Sequence, residues 1–221
     1  NTLIVLNLVS NYVLNMLNIL KKAALKAGEI QLNYFRSTEL DIEHKKSHQD
    51  IVTQADKKSQ EVIVETIISE MKKKGIPKSD IGFIGEEDLT FEGSHLVIMD
   101  PIDGTSNFAS GIDYFCCAIA YVHEGEVTAA CVNRPVTQDM YLAEKGKVAN
   151  ISQRGVESSL AISNEDSHTL VLFTEVWKTF KERQIPVVER LIPEYRSVRM
   201  NGAIALAIVL VAENICGLAI V

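Results

Sequence analysis

Residues 96–107, LVIMDPIDGTSN, join an apolar run to an acidic turn. The apolar part, Leu96–Met99, is short and ends abruptly, which predicts a strand with a loop at its C-terminal end. Asp100 and Asp103 follow this run and flank a turn that contains a proline. Their spacing can direct both carboxylates and the Ile102 carbonyl into one cavity. The stretch therefore predicts a strand whose C-terminal end presents several hard oxygen atoms.

The stretch IGFIGEED, residues 81–88, has the same pattern of an apolar run followed by acidic residues. Its apolar part predicts a second strand, and Glu86, Glu87 and Asp88 follow it. If the two strands are neighbours, several ionised carboxylates meet and repel one another, so that one gains a proton or a cation lies between them. Mg²⁺ is the natural occupant, since it takes hard oxygen ligands and leaves room for water and a phosphate. A solvated surface turn is the alternative for Gly-Glu-Glu considered alone.

The residues after the second acidic loop favour an anion-binding turn. Gly104 allows close approach of the backbone, and Thr105, Ser106 and Asn107 are typical of a helix N-cap. Backbone N–H groups at such a turn form a pocket suited to phosphate. A cation site beside a phosphate pocket indicates phosphoryl transfer or phosphate-ester hydrolysis, in which two metals about 4 Å apart activate water and stabilise the leaving oxygen.

Helices and a meander surround the two strands. Apolar spacing predicts a first helix through residues 1–35 and a second from Asp56 to Lys74, which Gly75 and Pro77 end. Three apolar runs separated by tight turns predict an antiparallel meander: Phe115–Val122, Val127–Asn133 and Met140–Glu144. Towards the end of the chain we expect a short helix, a buried helix and a strand, at Pro186–Ile192, at Ala203–Ala212 and from Cys216 onwards.

These elements predict an α/β (α+β) fold with layers of helices and sheets. We expect an N-terminal part, residues 1–148, with a largely antiparallel sheet that carries the metal and phosphate motifs. A smaller C-terminal α/β part follows, residues 149–221. The chain stops within an apolar strand, Leu218–Val221, and does not begin with Met. We therefore expect the protein to continue and the C-terminal part to be incomplete.

The composition argues against several classes of protein. Lys and Arg number 22 against 29 Asp and Glu, and the net charge of −7 argues against nucleic-acid or anionic-membrane binding. A hydrophobic content of 47% excludes global disorder. In the apolar residues 1–20, four asparagines on one helical face favour a surface helix over a membrane span: Asn7, Asn11, Asn15 and Asn18. Four cysteines without a CxxC pair indicate buried thiols and a cytoplasmic protein.

Several of these stretches resemble the motifs of one enzyme family. GEE at residues 85–87, followed by MDPIDGTSNF at residues 99–108, looks like the paired motifs of the inositol monophosphatase family of Mg²⁺-dependent, lithium-sensitive phosphatases. VTQAD at residues 52–56 is similar to an upstream segment of that family, and Tyr141–Gly146 and Arg199–Ala203 also fit. The resemblance covers most of the chain and is strongest in its first two thirds.

The resemblance implies a site, a fold and a substrate class. Four groups would hold Mg²⁺: Glu86, Asp100, Asp103 and the Ile102 carbonyl. Three residues would bind phosphate through backbone N–H groups: Asp103, Gly104 and Thr105. Thr105 would hydrogen-bond the attacking water, Asp56 would polarise it, and Glu86 would orient it through the metal. The family fold is an α-β-α-β-α sandwich, commonly a homodimer, and the substrate would be a small phosphorylated polyol or sugar.

The resemblance leaves the function open in two respects. Thr105–Phe108 favours an inositol monophosphatase or an archaeal-type fructose-1,6-bisphosphatase over a nucleotide 3′-phosphatase. A non-catalytic metal- or phosphate-binding relative is the alternative of a different class, because the family supplies a further metal-ligating aspartate from a Trp-Asp motif. Here Trp177 is followed by Lys178, so we expect that ligand beyond residue 221. Residues 146–162 also lack the family's Gly-Ala-x-x-Asn-Gly turn.

Other candidate residues have simpler interpretations. Lys46 precedes VTQAD as a family lysine does and would screen the metal site, although a solvated lysine fits equally well. The five histidines show no metal-ligand spacing: His44, His48, His95, His123 and His168. Cys116 and Cys117 lie on a predicted buried strand and favour a role in the core.

Overall fold

A computed structural model describes residues 2–38, 40–47, 50–87, 89–161, 169–172 and 185–220. The chain divides into two compact units, Asn1–Ser159 and Leu160–Val221. The first unit combines helices with a large sheet, and the second is a smaller α/β unit. The predicted fold class, α/β with a largely antiparallel N-terminal sheet, is confirmed.

Two long helices belong to the first unit. Helix α1 spans Thr2–Tyr34 and helix α2 spans Gln54–Lys73. Helix α2 begins two residues before the predicted start, because Thr53 caps it: the Thr53 hydroxyl accepts from the backbone N–H of Asp56, and the Asp56 carboxylate accepts from the backbone N–H of Thr53. Such a capping box satisfies two orphan donors at once and contributes about 1 kcal/mol.

An eight-stranded sheet forms the centre of the first unit. Its strands are β3 Ile81–Gly85, β4 Leu89–Phe91, β5 His95–Asp103, β6 Cys116–His123, β7 Glu126–Arg134, β8 Asp139–Glu144, β9 Asn150–Gln153 and β10 Val156–Ser159. Their order is β10-β9-β8-β7-β6-β5-β3-β4, and only the β3–β5 pair is parallel. The predicted meander is β6, β7 and β8. A separate hairpin pairs β1, Ile42–Ser47, with β2, Asp50–Thr53, and the short helix α3, Thr105–Ala109, follows β5.

The main core lies between the two helices and one face of the sheet. Helix α2 buries Ile63, Ile67 and Met71 completely, while Ala23 and Ala27 let α1 approach closely. Full burial of one such large side chain contributes about 1.5–3 kcal/mol. A second cluster, which consists of Ala55, Ile102, Phe108 and Phe115, packs under the start of α2 and α3.

The second unit has a three-stranded parallel sheet. Its strands are β11 Thr169–Leu172, β12 Ser197–Met200 and β13 Leu218–Ile220, in the order β12-β11-β13. Helix α4 spans Ile185–Leu191 and helix α5 spans Ile204–Ala212, so both predicted helices are present. The last strand begins two residues after Cys216.

Two expectations, about membrane helices and about thiols, can be compared with these elements. All four cysteines are free and buried, as predicted. Within the described ranges, no helix is long and apolar enough to cross a membrane.

Candidate functional site

The parallel pairing of β3 and β5 places the two acidic loops side by side. Gly85 is opposite Met99, so Glu86 and Asp100 are the next residues along the two strands. Strand β5 then continues to Asp103, but its pairing with β6 shifts register between Asp100 and Asp103. The two strands are therefore neighbours, which is the condition for the carboxylates to converge, and both acidic loops leave the same edge of the sheet.

Asp103 is buried at the end of β5. Its side chain is 3% exposed, and the Cys116 thiol donates to its Oδ2 atom over 3.5 Å. Burial raises the pKa of this thiol, and the neighbouring carboxylates of Asp103 and Asp100 raise it further. Cys116 therefore stays protonated and acts as a hydrogen-bond donor to Asp103. The sequence placed Cys116 in the core but contained no signal for this contact.

Asp56 and Thr105 meet although 49 residues separate them. The Thr105 Oγ1 atom lies 3.1 Å from Asp56 Oδ1 and 2.9 Å from the Ile102 carbonyl oxygen, and its single proton can go to either acceptor. The other carboxylate oxygen, Asp56 Oδ2, accepts the backbone N–H of Thr53 at 2.9 Å and also the Thr53 hydroxyl. Thr53 is a residue that the sequence analysis missed, although Thr-x-x-Asp is a capping pattern.

Burial dominates the electrostatics of Asp56. Its side chain is fully buried, and this burial raises its pKa to about 6. The hydrogen bonds from Thr53 and Thr105 lower the pKa, whereas the negative charge of Glu87 raises it. A carboxyl group with this pKa is largely ionised at neutral pH and close to the range that suits a general base.

Gly104 connects β5 to α3 in a backbone conformation that favours glycine. Its φ is 95° and its ψ is 38°, in the left-handed region. The Gly104 carbonyl accepts the backbone N–H of Phe108 at 3.0 Å, which closes the first turn of α3. The predicted helix start at Thr105 is therefore present.

The predicted metal ligands occupy neighbouring loops with different exposure. Glu86 is exposed, Asp100 is partly buried, and Ile102 and Asp103 are buried. In the part of the chain that the structure describes, no three His, Cys, Asp or Glu side chains form a group able to hold a metal. The metal-ligand roles of these residues stay predictions. Asp88, Trp177, Lys178, His48 and His168 lie outside the described residues, as do the side chains of His44 and Lys46.

Two histidines, His95 and His123, stack on one another within the sheet. His95 and His123 are paired across β5 and β6, and their ring centroids are 5.0 Å apart. The His95 Nδ1 atom lies 2.6 Å from the Tyr121 hydroxyl. Burial lowers the pKa of His95, and the charge of His123 lowers it further.

A cavity of about 420 Å³ lies elsewhere in the first unit. It runs between α1 and the strands β8 to β10, and Asn133, Gln138 and Arg154 are among its lining residues. None of the predicted site residues lines it.

Comparison with known proteins identifies one family. The family model described as the inositol monophosphatase family matches residues 13–220. "Nus factor SuhB" of Xylella fastidiosa is 30% identical over 205 residues, which cover 90% of this chain and 70% of that protein. "Inositol-1-monophosphatase" of Rhizobium meliloti is 34% identical over 139 residues, which cover 63% and 51%. The solved IMPase of Thermotoga maritima superposes with a TM-score of 0.71 at 28% identity and covers 87% of this chain and 70% of that one.

Proposed function

The chain belongs to the inositol monophosphatase family, a family of phosphatases, and from this premise we propose that it is a Mg²⁺-dependent phosphomonoesterase. Its substrates would be small polyol or sugar phosphates of the inositol monophosphate kind. The observation that carries the proposal is the hydrogen bond between Thr105 and the buried Asp56, at the edge where the two acidic loops leave the sheet. A fructose-1,6-bisphosphatase or nucleotide 3′-phosphatase would use the same residues on another ester.

The donor set fits magnesium. Glu86, Asp100, Asp103 and the Ile102 carbonyl supply only hard oxygen atoms, which Mg²⁺ prefers. A carbonyl oxygen has two lone pairs, so the Ile102 carbonyl keeps one for a cation even when the Thr105 hydroxyl donates to it. When bound, Mg²⁺ would lower the pKa of a water and offset the charge of the phosphoryl oxygens.

Thr105 and Asp56 would move the proton of the attacking water. When Thr105 donates to Asp56, its oxygen keeps lone pairs that accept a hydrogen bond from a water. As the water attacks phosphorus and the bond from phosphorus to the alcohol oxygen breaks, the water's proton passes to Thr105 and the Thr105 proton passes to Asp56 Oδ1. The departing alkoxide would take a proton from solvent. Ionised Asp56 is the acceptor in this relay, and its pKa of about 6 keeps it available at neutral pH. Glu86 would orient the water from the opposite loop.

The phosphate would lie against the turn that follows β5. Backbone N–H groups of Asp103, Gly104 and Thr105 are the proposed donors, and the left-handed conformation of Gly104 is what turns the chain there. We further propose a cytoplasmic homodimer without nucleic-acid or membrane partners. The net charge of −7 supports only the absence of polyanionic partners.

The test is substitution of a proposed ligand. Asp103→Asn should lower metal-dependent turnover by a factor on the order of 10² or more, because it removes a charge that holds the cation. Turnover would be measured with Mg²⁺ on inositol 1-phosphate, fructose 1,6-bisphosphate and adenosine 3′,5′-bisphosphate. Glu157→Gln, which neutralises an exposed carboxylate on the edge strand β10, is the matched control. Unchanged turnover of Asp103→Asn would refute the mechanism.

A second candidate is a role without catalysis. Relatives such as the Xylella protein carry the name Nus factor, and the non-catalytic alternative predicts binding of Mg²⁺ or phosphate with no turnover on any of the three esters. Calorimetry beside the turnover assay separates these cases. A Nus factor role that is independent of catalysis predicts that Asp103→Asn complements a bacterial strain lacking its SuhB as well as the wild type does.

A further inference from the structure

Two buried glutamines, Gln31 on α1 and Gln60 on α2, contact the backbone of the two acidic loops. We propose that Gln31 and Gln60 are positioning residues that hold the backbone of these two loops side by side, so that oxygen atoms from both can share a divalent cation. This inference rests on the proposed function, and no step of the reaction involves the glutamine side chains directly.

Gln60 holds the first loop through both ends of its amide group. Its Nε2 atom donates to the Glu87 carbonyl at 3.0 Å, and its Oε1 atom accepts the Glu87 backbone N–H at 3.4 Å. The side chain is only 8% exposed. A Cβ atom on Gly85 would lie 2.1 Å from Gln60 Oε1, so the glycine leaves the space that the amide occupies. Contacts on both sides of Glu87 set the path of the loop that carries Glu86.

Gln31 contacts the second acidic segment at Pro101, within the irregular end of strand β5. Its Nε2 atom donates to the Pro101 carbonyl at 2.7 Å, and the side chain is completely buried. Proline has no backbone N–H, and the pairing of β5 with β6 shifts register between Asp100 and Asp103. In this irregular stretch, the regular hydrogen bonds between strands do not fix the backbone. The Gln31 amide supplies a hydrogen-bond donor from helix α1 instead.

The oxygen atom of the Gln31 amide indicates that the main role of this side chain is not to stabilise the fold. Among the described residues, its Oε1 atom is buried without a hydrogen-bond partner. A buried amide oxygen without a partner opposes folding, and an apolar side chain of the same shape avoids that cost. The hydrogen bond to Pro101 is therefore the feature that distinguishes glutamine from such a side chain.

Both glutamines connect the loop backbones to the packed layer of helices. Helices α1 and α2 pack against one another and against the same core of the sheet. The β3–β5 ladder ends at the pair Gly85 and Met99, and the two amides extend support beyond that pair into the loops. When the backbone is already fixed, the side chains that coordinate a metal lose less conformational freedom as the metal binds. Supporting contacts of this kind commonly change metal affinity by 10- to 100-fold.

The test compares metal affinity with stability in the whole 221-residue chain. Gln31→Met and Gln60→Met keep the side-chain shape and remove the amide. We expect each to raise the Kd for Mg²⁺, measured by calorimetry, by about 10-fold. At saturating Mg²⁺ we expect kcat to stay within about threefold of the wild type. We expect the thermal midpoint of Gln31→Met to stay close to that of the wild type, because removal of the unpartnered Oε1 atom offsets the loss of the donor to the Pro101 carbonyl.

Asn133→Leu is the matched control. The buried Asn133 amide also donates to a helix carbonyl, that of Ala24 at 3.0 Å, but β7 is separated from β5 by β6. This variant should be less stable with an unchanged Kd for Mg²⁺. If Gln60→Met does not fold, Gln60→Leu removes both contacts with Glu87 without adding a charge and should still weaken Mg²⁺ binding.

The outcomes separate the two proposals. If the wild type binds Mg²⁺ and both glutamine variants bind it with the same Kd, the inference is wrong and the proposed function is unaffected. Weaker binding in the variants, with no turnover by the wild type, would support the inference and contradict the proposed phosphatase. A wild-type chain that binds no divalent cation would contradict both.

Discussion

Burial raises the pKa of Asp56 to about 6, although hydrogen bonds from Thr53 and Thr105 oppose the shift. A carboxyl group whose pKa is higher in the folded chain than in the unfolded chain binds its proton more tightly when folded. Its contribution to stability is complete below the ordinary value of 3.8 and is lost as the pH rises through 6. The same burial that disfavours the ionised form gives Asp56 a pKa suited to accepting a proton.

This shift predicts how an uncharged substitute behaves. We expect Asp56→Asn to raise the free energy of unfolding of the metal-free chain by about 2–3 kcal/mol above pH 6, since one pKa unit corresponds to about 1.4 kcal/mol. The difference from the wild type should shrink between pH 6 and pH 4. Urea denaturation in EDTA measures it, with Asp113→Asn at an exposed position as the control. A difference that does not depend on pH would contradict the raised pKa.

Glycines with positive φ lie where elements of this chain end. Gly104 separates β5 from α3 with a φ of 95°, and Gly75 follows α2 with a φ of 82°. No atom lies within 4 Å of the place where a Cβ would be at Gly75, so this position has backbone strain without a steric clash. The two glycines therefore form a natural comparison between a site turn and an ordinary helix end.

Alanine at either glycine should lower the free energy of unfolding by about 1–2 kcal/mol, the cost of the left-handed backbone for a residue with a Cβ. Only Gly104→Ala should also reduce turnover, by about tenfold or more, because only Gly104 belongs to the proposed phosphate turn. Denaturation and steady-state assays of both variants provide the comparison. Equal turnover in the two variants would argue that the turn after β5 does not bind the phosphate.

The charge of the whole chain bears on its partners. A net charge of −7 disfavours contact with a polyanion such as RNA. We expect no binding of a labelled RNA at 0.15 M salt in an anisotropy titration up to about 10 μM protein, because non-specific affinities arise from clustered cations. Saturable binding that weakens with rising salt would show that a local cationic surface outweighs the total charge.

Much of the architecture could be predicted from local patterns. The runs Ile81–Ile84 and Leu96–Met99 became the cores of β3 and β5, the meander has its predicted order, and α2 differs from its predicted start by only two residues. These features depend on residues that are adjacent or one helical turn apart. The resemblance to a family supplied the pairing of Asp56 with Thr105, which no spacing in the chain indicates.

The proposed chemistry of the two acidic loops rests on residue types alone, because hard oxygens and a glycine turn have the same preferences in any fold. The contacts of Gln31 with Pro101, of Gln60 with Glu87 and of Cys116 with Asp103 emerged only when helices and sheet were packed together. They join residues that are far apart in the chain, and neither glutamine differs in local pattern from a solvated one. Long-range packing has no sequence period, and for that reason these partners were visible only in three dimensions.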